Sequence, residues 1–298
     1  MAKRWTDLMR RTRKPPAVAP ETAGLLALPS PFRDEAGTVY VVEAPDAPPA
    51  DLADRLRDGD YGRPFLLEQE GVRCLHFGMG FTQSAVRLAE PDVLHLTYTQ
   101  AMAGFLIFHP RPRNLLLLGL GGGGLARFCR RHLPAARLTA VEIDPDVLAF
   151  RAACLVPPDD GLFSVVRADG ARYVTESRAK HDVILVDAFD RHGVAPSMCT
   201  DDFFADAHAR LAGRGLLVMN VAGDRAGQTA LLARLAGAFG GRMLTLHLKA
   251  HGNRIAFAFR DPEFSPRWPW LKSAARDAGG RVGVDLHAFA TQLERENS

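Results

Sequence analysis

From Asn114 onward, the chain alternates between short apolar runs, which predict buried strands, and stretches in which apolar residues recur at helical spacing. Such an alternation is typical of βαβ units, and therefore of a mostly parallel sheet covered by helices. The predicted strands span residues 114–119, 137–142, 163–167, 182–187, 215–220, 242–248 and 254–259. The predicted helices lie between them, at residues 124–133, 145–153, 171–177, 202–211 and 225–238.

The last two predicted strands indicate how the sheet ends. Only residues 249–253 separate them, which is too short for the crossover that two parallel strands need, so the pair must be antiparallel. A parallel sheet that ends in an antiparallel hairpin is the arrangement of the methyltransferase-type Rossmann fold, whereas the dinucleotide-binding fold continues with further βαβ units. We therefore predict an α/β fold of the methyltransferase type, with two further helices near residues 267–277 and 284–295.

The chain before this domain has a different pattern. Strand candidates rich in β-branched and aromatic residues follow one another closely, at residues 38–42, 65–69, 72–77 and 82–88, with a short helix at 51–57. We expect a basic, proline-rich tail and connector over residues 1–35, a small β-rich domain over 36–95 and the Rossmann-like domain over 96–298. We expect the last of these to begin with a helix from Leu96 to His109.

Composition excludes several classes of protein. The 298 residues are 47% apolar and 24% charged, as in an ordinary globular protein with an ample core. No apolar run approaches the ~20 residues that cross a bilayer, and the N-terminus lacks the apolar core of a secretion signal, so we expect a cytoplasmic protein with no membrane partner. The four cysteines lie far apart and the ten histidines show no ligand spacing, so we expect neither disulfides nor a metal site.

The net charge of +3 is unevenly spread, because residues 1–14 hold six lysines and arginines against one acid, Asp7. Such an arm can touch nucleic acid or an anionic membrane surface. It can also be a solvated tail, or a short amphipathic helix that packs Trp5, Leu8 and Met9 onto the body. We favour a solvated tail or a packed helix over a binding arm, and we expect no nucleic-acid partner.

A glycine-rich loop follows the first strand of the Rossmann-like domain. Four leucines at residues 115–118 precede five glycines within residues 119–124, and a helix-like pattern begins at once. Glycines in such a turn allow backbone and ligand to approach closely, because no Cβ stands between them. The following helix start offers free N–H groups and the positive end of a dipole. Nucleotide folds keep an acid for the ribose about 20 residues later, and Glu142 stands there.

Acidic residues collect at the ends of three successive predicted strands. Glu142 closes the second strand, Asp169 follows the third, and both Asp187 and Asp190 follow the fourth. In open α/β sheets, ligands bind beyond the carboxyl ends of the strands. Glu142 can accept both hydroxyls of a ribose, since a carboxylate has two acceptor oxygens, and Asp169 can accept from an adenine amino group. Asp187 and Asp190 can hold or deprotonate an amine.

Several motifs occur here in a characteristic order, namely Leu118–Gly124, Val141–Pro145, Ala168–Gly170 and Val183–Asp190. Together they resemble the spermidine synthase (polyamine aminopropyltransferase) family over about residues 95–221. Members of that family carry a small β-domain ahead of the Rossmann domain, which is similar to the order expected here.

The resemblance implies roles for the candidate residues. The nucleotide-binding positions that it implies are Gly119, Gly121, Gly123, Glu142 for the ribose, and Asp169 with Gly170 near the adenine. It implies that Asp187 helps to accept the proton of the attacking amine, and that Asp190 is the second acid of that loop. The substrate-binding positions that it implies are Tyr98, Gln83 and Gln100.

The sequence departs from the family where the amine should bind. Gly122 stands at a position where the family keeps an acid, Thr99 and Gln100 replace His/Gln and Glu after the tyrosine, and Arg191 replaces a proline. Fewer anionic groups and an added cation should weaken the binding of a dicationic diamine, because opposite charge holds such a substrate. We interpret the neighbouring His192 as a surface residue.

These observations predict a metal-free transferase that moves an aminopropyl group from decarboxylated S-adenosylmethionine to a small-molecule amine. One alternative is a methyltransferase or other alkyl transferase that uses S-adenosylmethionine itself, and another is a non-catalytic nucleotide-binding protein. A nicotinamide dehydrogenase fits the spacing of Gly119, Gly121 and Gly124, but the acids past the third and fourth strands argue against it. We also expect a homodimer.

Overall fold

The structure, a computed structural model, describes residues 22–33, 35–78, 82–190, 193–249 and 252–298, and for residues 82, 83 and 190 the backbone alone. The basic tail predicted at residues 1–14 lies outside the described residues. The described residues form two compact units. The first unit holds the residues up to His95 together with 121–127 and 144–157, and the second holds Leu96–Leu120, Phe128–Ile143 and Pro158–Ser298.

The first unit is built on a five-stranded antiparallel sheet with its strands in sequence order. Its elements are β1 (Leu26–Pro29), β2 (Thr38–Val41), α1 (Pro49–Asp58), β3 (Phe65–Gln69), β4 (Val72–His76) and β5 (Thr82–Arg87). Alternate residues of a strand point to opposite faces, and on β2 the inward pair Val39 and Val41 is fully buried. These valines form one core cluster with Leu52 and Leu56 of α1.

One local feature of this sheet agrees with the strands predicted from the sequence, and another differs from the prediction. The predicted hairpin between β3 and β4 turns at Glu70 and Gly71, whose φ angles of 49° and 76° are both positive, as a two-residue type I′ turn requires. The sheet begins earlier than expected, because β1 pairs with β2 inside the stretch predicted to be a connector. In β1 only Leu28 is buried, so its apolar pattern is too short to indicate a strand.

The second unit holds a seven-stranded sheet in the order β13-β14-β12-β9-β6-β7-β8. Its strands are β6 (Asn114–Leu118), β7 (Arg137–Glu142), β8 (Phe163–Arg167), β9 (His181–Val186), β12 (Leu211–Val221), β13 (Met243–Leu248) and β14 (Asn253–Phe259). A separate short hairpin consists of β10 (Phe189–Asp190) and β11 (Gly193–Val194). The helices from residue 97 onward are α2 (Thr97–Met102), α3 (Phe105–Phe108), α4 (Gly124–His132), α5 (Pro145–Ala149), α6 (Gly170–Glu176), α7 (Asp201–Arg210), α8 (Arg225–Ala238), α9 (Trp268–Val282) and α10 (Leu286–Asn297). Of these, α4 has residues in both units and α5 belongs to the first unit.

Strand direction in this sheet confirms the predicted fold. The pairs β7–β8, β6–β7, β6–β9 and β9–β12 are parallel, whereas β14 is antiparallel to both β12 and β13. Leu115 to Leu118 of β6 are at most 1% exposed, because helices cover both faces of a parallel sheet. The predicted mostly parallel sheet with a terminal antiparallel pair is therefore present.

Two predicted helices have different bounds in the structure. The helix expected from Leu96 to His109 is broken into α2 and α3 near Gly104, where a Cβ would lie 3.1 Å from the ring of Phe257 and 2.7 Å from the Ala101 carbonyl. The helix expected at 145–153 ends at Ala149, and the chain then turns through Leu155, whose φ is 55°. Tertiary packing thus overrides the helical periodicity at both places.

The C-terminal helix α10 completes the backbone hydrogen bonds of an edge strand. Asn297 accepts from the Thr245 N–H at 2.9 Å and donates to the Thr245 carbonyl at 2.9 Å. Glu296 accepts from the His247 N–H, and Gln292 donates to the His247 carbonyl, both at 2.8 Å. Side chains of α10 therefore occupy the positions on β13 that an eighth strand would take.

Across the described residues, no helix combines the length and the apolar character that crossing a membrane requires. The same residues contain no group of three or more His, Cys, Asp or Glu side chains arranged to hold a metal ion.

Candidate active site

Gly119 lies at the carboxyl end of β6, where three strands of the second unit come close together. Its φ of 90° is in the left-handed region, and a Cβ at this position would lie 2.3 Å from the Asp187 carbonyl oxygen. Its own N–H donates to the Val141 carbonyl at 2.9 Å. Only glycine fits this backbone angle and this contact together, so Gly119 allows the ends of β6, β7 and β9 to meet.

Glu142 is the last residue of β7, and its carboxylate is held by two backbone N–H groups. One oxygen accepts from Leu120 at 2.9 Å, and the other accepts from Ile143 at 2.9 Å. The residue is 8% exposed, whereas the neighbouring Ile143 is 59% exposed. These two backbone bonds fix the orientation of the Glu142 carboxylate at the end of β7.

Asp169 serves as the N-cap of α6, beyond the end of β8. One of its oxygens accepts from the Arg172 N–H at 2.9 Å, and the other accepts from the Ser197 hydroxyl at 3.2 Å. At the next position, a Cβ on Gly170 would lie 2.3 Å from the Cε atom of Met198. The cap therefore fixes the Asp169 carboxylate, and Gly170 provides the room that this turn needs.

Asp187 follows the last residue of β9 and receives two hydrogen bonds from neutral donors. The Asn220 amide donates to Oδ1 at 3.0 Å, and the Tyr98 hydroxyl donates a second bond to the carboxylate. Burial raises the pKa of Asp187 to about 6, although both hydrogen bonds act to lower it. Burial and the adjacent carboxylate also raise the pKa of Tyr98, so its phenol stays protonated. Near neutral pH, Asp187 is thus ionised, and it binds a proton more tightly than an ordinary aspartate does.

Two asparagines of this site were missed by the sequence reasoning. Asn220 is 3% exposed on β12, and the register that pairs Met219 with Val186 places it beside Asp187. Asn253, the first residue of β14, donates to the Asn220 side-chain oxygen at 2.8 Å. The signal available in the sequence was a single polar residue in the apolar run of residues 216–221.

The remaining predicted substrate residues are only partly described. Gln100 lies half-buried on α2, two positions after Tyr98. Thr99 is buried and donates from its hydroxyl to the Leu96 carbonyl at 2.7 Å, so it stabilises the helix start. The backbone of Asp190 pairs with Gly193 in the β10–β11 hairpin. The side chains of Gln83 and Asp190, together with residues Arg191 and His192, lie outside the described residues.

The rest of the glycine loop belongs to the first unit. Gly121 and Gly123 have positive φ angles of 50° and 71°, and a Cβ on Gly123 would lie 2.2 Å from a methyl group of Val156. At Gly122 the obstacle is Ser84, because a Cβ there would lie 2.2 Å from the serine hydroxyl oxygen. That hydroxyl accepts from the Gly122 N–H at 2.9 Å. The serine therefore fills the space that any side chain at position 122 would occupy.

Arg127, which the sequence reasoning also missed, supports this loop from within the first unit. The residue is 2% exposed, and burial lowers the pKa of its guanidinium. It donates to the carbonyls of Gly122 and Pro91, each at 2.6 Å, and to the carbonyl of Cys154. Three carbonyl acceptors thus satisfy a buried cation and tie three separate segments of the unit together.

Comparisons with known proteins agree with this arrangement. The family model described as the spermine/spermidine synthase domain matches residues 95–225. The polyamine aminopropyltransferase of Chromobacterium violaceum is 38% identical over 234 residues, which cover 78% of this chain and 89% of that protein. The chain belongs to the spermine/spermidine synthase family.

Two solved structures are also similar. A probable spermidine synthase from Corynebacterium glutamicum matches with a TM-score of 0.62 and 22% identity, over 79% of this chain and 92% of that one, and so supports the fold. Human methyltransferase-like protein 13, solved in complex with SAH, matches with a TM-score of 0.57 and 26% identity, over 63% of this chain and 93% of that one. Both matches therefore support the fold described above.

We predict that Gly122→Asp destabilises the protein by about 1–3 kcal/mol, because the new side chain would overlap Ser84. The double variant Ser84→Gly/Gly122→Asp should recover most of that loss, since it removes the obstructing atoms. Thermal unfolding of the three proteins measures both effects. Gly161→Asp is a matched control, because a Cβ at Gly161 meets no atom within 4 Å. Equal losses in the single and double variants would contradict the prediction.

We predict that Asp187→Asn stabilises the folded protein above about pH 6. The pKa of Asp187 is raised from 3.8 to about 6, so the folded state binds this proton more tightly than the unfolded state. Protonation of Asp187 therefore stabilises the folded state near pH 4, and this stabilisation is lost as the pH rises through about 6. The gain in unfolding free energy should be about 1–3 kcal/mol at pH 8 and close to zero at pH 4. Chemical denaturation at both pH values tests this, with the exposed Asp202→Asn as the control.

Proposed function

We propose that this protein is a polyamine aminopropyltransferase, which moves the aminopropyl group of decarboxylated S-adenosylmethionine to a small amine. The observation that carries the proposal is Asp187, a half-buried carboxylate with a pKa of about 6 and two neutral hydrogen-bond partners. A neutral setting keeps this carboxylate basic, whereas a cation in contact would lower its proton affinity. The activity is the one printed for the relative from Chromobacterium violaceum.

The nucleotide end of the donor fits the carboxyl ends of β7 and β8. In this proposal the Glu142 carboxylate, oriented by the N–H groups of Leu120 and Ile143, accepts from the ribose hydroxyls. Exposed Ile143 provides an apolar surface beside that carboxylate for the face of a purine. Asp169, whose carboxylate is oriented by its capping bond to the Arg172 N–H, accepts from the adenine amino group.

Asp187 supplies the proton acceptor for the transfer step. The amine nitrogen attacks the methylene carbon bound to the sulfonium sulfur, a C–N bond forms and the C–S bond breaks. The electron pair of that bond goes to sulfur, which leaves as a neutral thioether in methylthioadenosine, and the proton released from the nitrogen passes to Asp187. Because the sulfonium is already an activated leaving group, orientation and proton transfer are the main contributions that the protein makes.

The residues expected to bind the amine differ from those that select a dication. In the second unit, Thr99 donates its hydroxyl to the Leu96 carbonyl and adds no negative charge. In the first unit, Gly122 stands where the resemblance implies an acid, and its N–H donates to the Ser84 hydroxyl. We infer that the acceptor is held less by charge than a diamine would be. The acceptor's identity, a homodimer and a cytoplasmic location remain predictions.

A methyltransferase is the second candidate, because human methyltransferase-like protein 13 shares the fold at 26% identity and was solved in complex with SAH. The donor distinguishes the two candidates. Isothermal calorimetry with decarboxylated S-adenosylmethionine, S-adenosylmethionine, methylthioadenosine and NAD ranks them directly. Tight binding of NAD without any adenosyl sulfur compound would contradict both.

We predict that Glu142→Ala abolishes binding of methylthioadenosine, because the ribose would lose its carboxylate acceptor. A loss of about 100-fold or more in affinity is expected, since a bond to a charged acceptor contributes about 1.5–3 kcal/mol and two hydroxyls are involved. Calorimetry on the wild type and on Glu176→Ala, an exposed acid at the end of α6, gives the reference. Equal affinity of Glu142→Ala and the wild type would show that the ribose does not bind at Glu142.

We predict that Asp187→Ala keeps most nucleotide affinity and loses at least about 100-fold in turnover, because a positioned base contributes about 10²–10⁴ in rate. The assay supplies putrescine, cadaverine or spermidine with the donor and detects the aminopropylated product by mass spectrometry. Asp202→Ala, which changes an exposed acid of α7, should retain wild-type turnover. Wild-type turnover by Asp187→Ala would exclude Asp187 as the base.

A further inference from the structure

Asp187 lies at one end of a chain of side-chain amides within the second unit. The Asn220 amide nitrogen donates to Asp187 at 3.0 Å, and the Asn253 amide nitrogen donates to the Asn220 oxygen at 2.8 Å. Both asparagines come from neighbouring antiparallel strands, β12 and β14, whose register pairs Asn220 with Ile255. The chain thus crosses two strands before it reaches the carboxylate.

The direction of each bond in this chain follows from the chemistry of the groups. An ionised carboxylate only accepts hydrogen bonds, so Asn220 must present its nitrogen to Asp187 and its oxygen to Asn253. Asn253 then has to present its nitrogen, and the interaction is possible with only one orientation of each amide. The carboxylate therefore determines which way the buried Asn220 amide faces, and the bond from Asn253 stabilises that orientation.

The start of β14 is itself fixed by a buried side chain. Gln228 of α8 is 5% exposed, and its amide nitrogen donates to the carbonyl of Gly223 at 3.0 Å and to the carbonyl of Gly252 at 2.8 Å. Gly252 directly precedes Asn253. The backbone that carries Asn253 is thus held from the helix layer.

We propose that Asn220 and Asn253 are positioning residues that set the orientation and the proton affinity of Asp187. A primary amide stabilises the carboxylate through a hydrogen bond but adds no charge, so the acid stays ionised near neutral pH and still accepts a proton. Among the described residues, Tyr98 is the titratable side chain that interacts with Asp187, and it stays protonated as a donor on the opposite element, α2. The link to turnover rests on the proposed transferase function, whereas the link to proton affinity does not.

The relay predicts an effect of Asn253 on a carboxylate that it does not contact. In Asn253→Leu the Asn220 oxygen loses its donor without the addition of a charge, so the Asn220 amide is no longer held with its nitrogen toward Asp187. The pKa of Asp187 should then rise by about one unit or more, as expected when a charge-assisted bond is lost. Asn220→Leu should produce a shift of similar size by removing the donor directly.

The experiment measures the Asp187 pKa by carbon-13 carboxyl NMR of the ligand-free protein, with Asp187→Asn to assign the signal. A shift from about 6 to about 7 lowers the ionised fraction about fivefold at pH 6 and has little effect at pH 8, so the acid limb of the kcat/KM profile should move by the same amount. The double variant Asn220→Leu/Asn253→Leu should show less than the sum of the two single shifts, because the relay is already broken.

The matched control is Asn297→Leu, which removes a half-buried asparagine that serves only Thr245 and Leu293 at the far edge of the sheet. It should leave the Asp187 pKa unchanged. Should Asn220→Leu fail to fold, Asn253→Leu alone decides the matter, since Asn253 is only half-buried.

A raised pKa in both single variants supports the inference, even if no acceptor is turned over and the proposed function fails. Unchanged pKa values in folded variants overturn it, even if the wild type is an active transferase. Additive shifts in the double variant overturn the relay through Asn253, because they would show that the two residues act separately.

Discussion

The architecture of the site depends on one close contact, between the end of β6 and the end of β9. A Cβ on Gly119 would lie 2.3 Å from the Asp187 carbonyl oxygen. The Asp187 N–H donates to the Leu118 carbonyl at 2.9 Å. The next N–H, that of Leu120, is thereby aimed at the Glu142 carboxylate on the other side of β6. One residue without a side chain thus sets the positions of the two acids on which the proposed nucleotide and amine roles depend.

Much of this arrangement could be predicted from the sequence, because strand ends in a parallel sheet are readable from apolar runs. Glu142, Asp169 and Asp187 all lie at or just past strand ends, as predicted. The Asn220–Asn253 pair could not be predicted, since it depends on the register of two antiparallel strands that are distant from Asp187 in sequence. Ser84 was missed for a similar reason: its relation to Gly122 depends on tertiary contact, which periodicity does not encode.

Two charged groups buried in this protein are held by neutral partners. Arg127 in the first unit is surrounded by three backbone carbonyls, and Asp187 in the second unit is held by an amide and a phenol. In each case the charge is solvated by dipoles and is not cancelled by an opposite ion. Fixed dipoles in a low-dielectric setting stabilise a charged group without neutralising it, so the group keeps its net charge. That property suits a carboxylate that must exchange a proton.

The contact between Ser84 and Gly122 also constrains the order in which mutations can accumulate in this glycine loop during evolution. A side chain at position 122 overlaps the serine hydroxyl, so an acid can be introduced there at low cost only after position 84 has become smaller. Loss of Ser84 first removes the hydrogen bond to the Gly122 N–H but creates no overlap. The two positions therefore form an ordered pair, because a change that begins at position 84 avoids the steric overlap that a change beginning at position 122 creates.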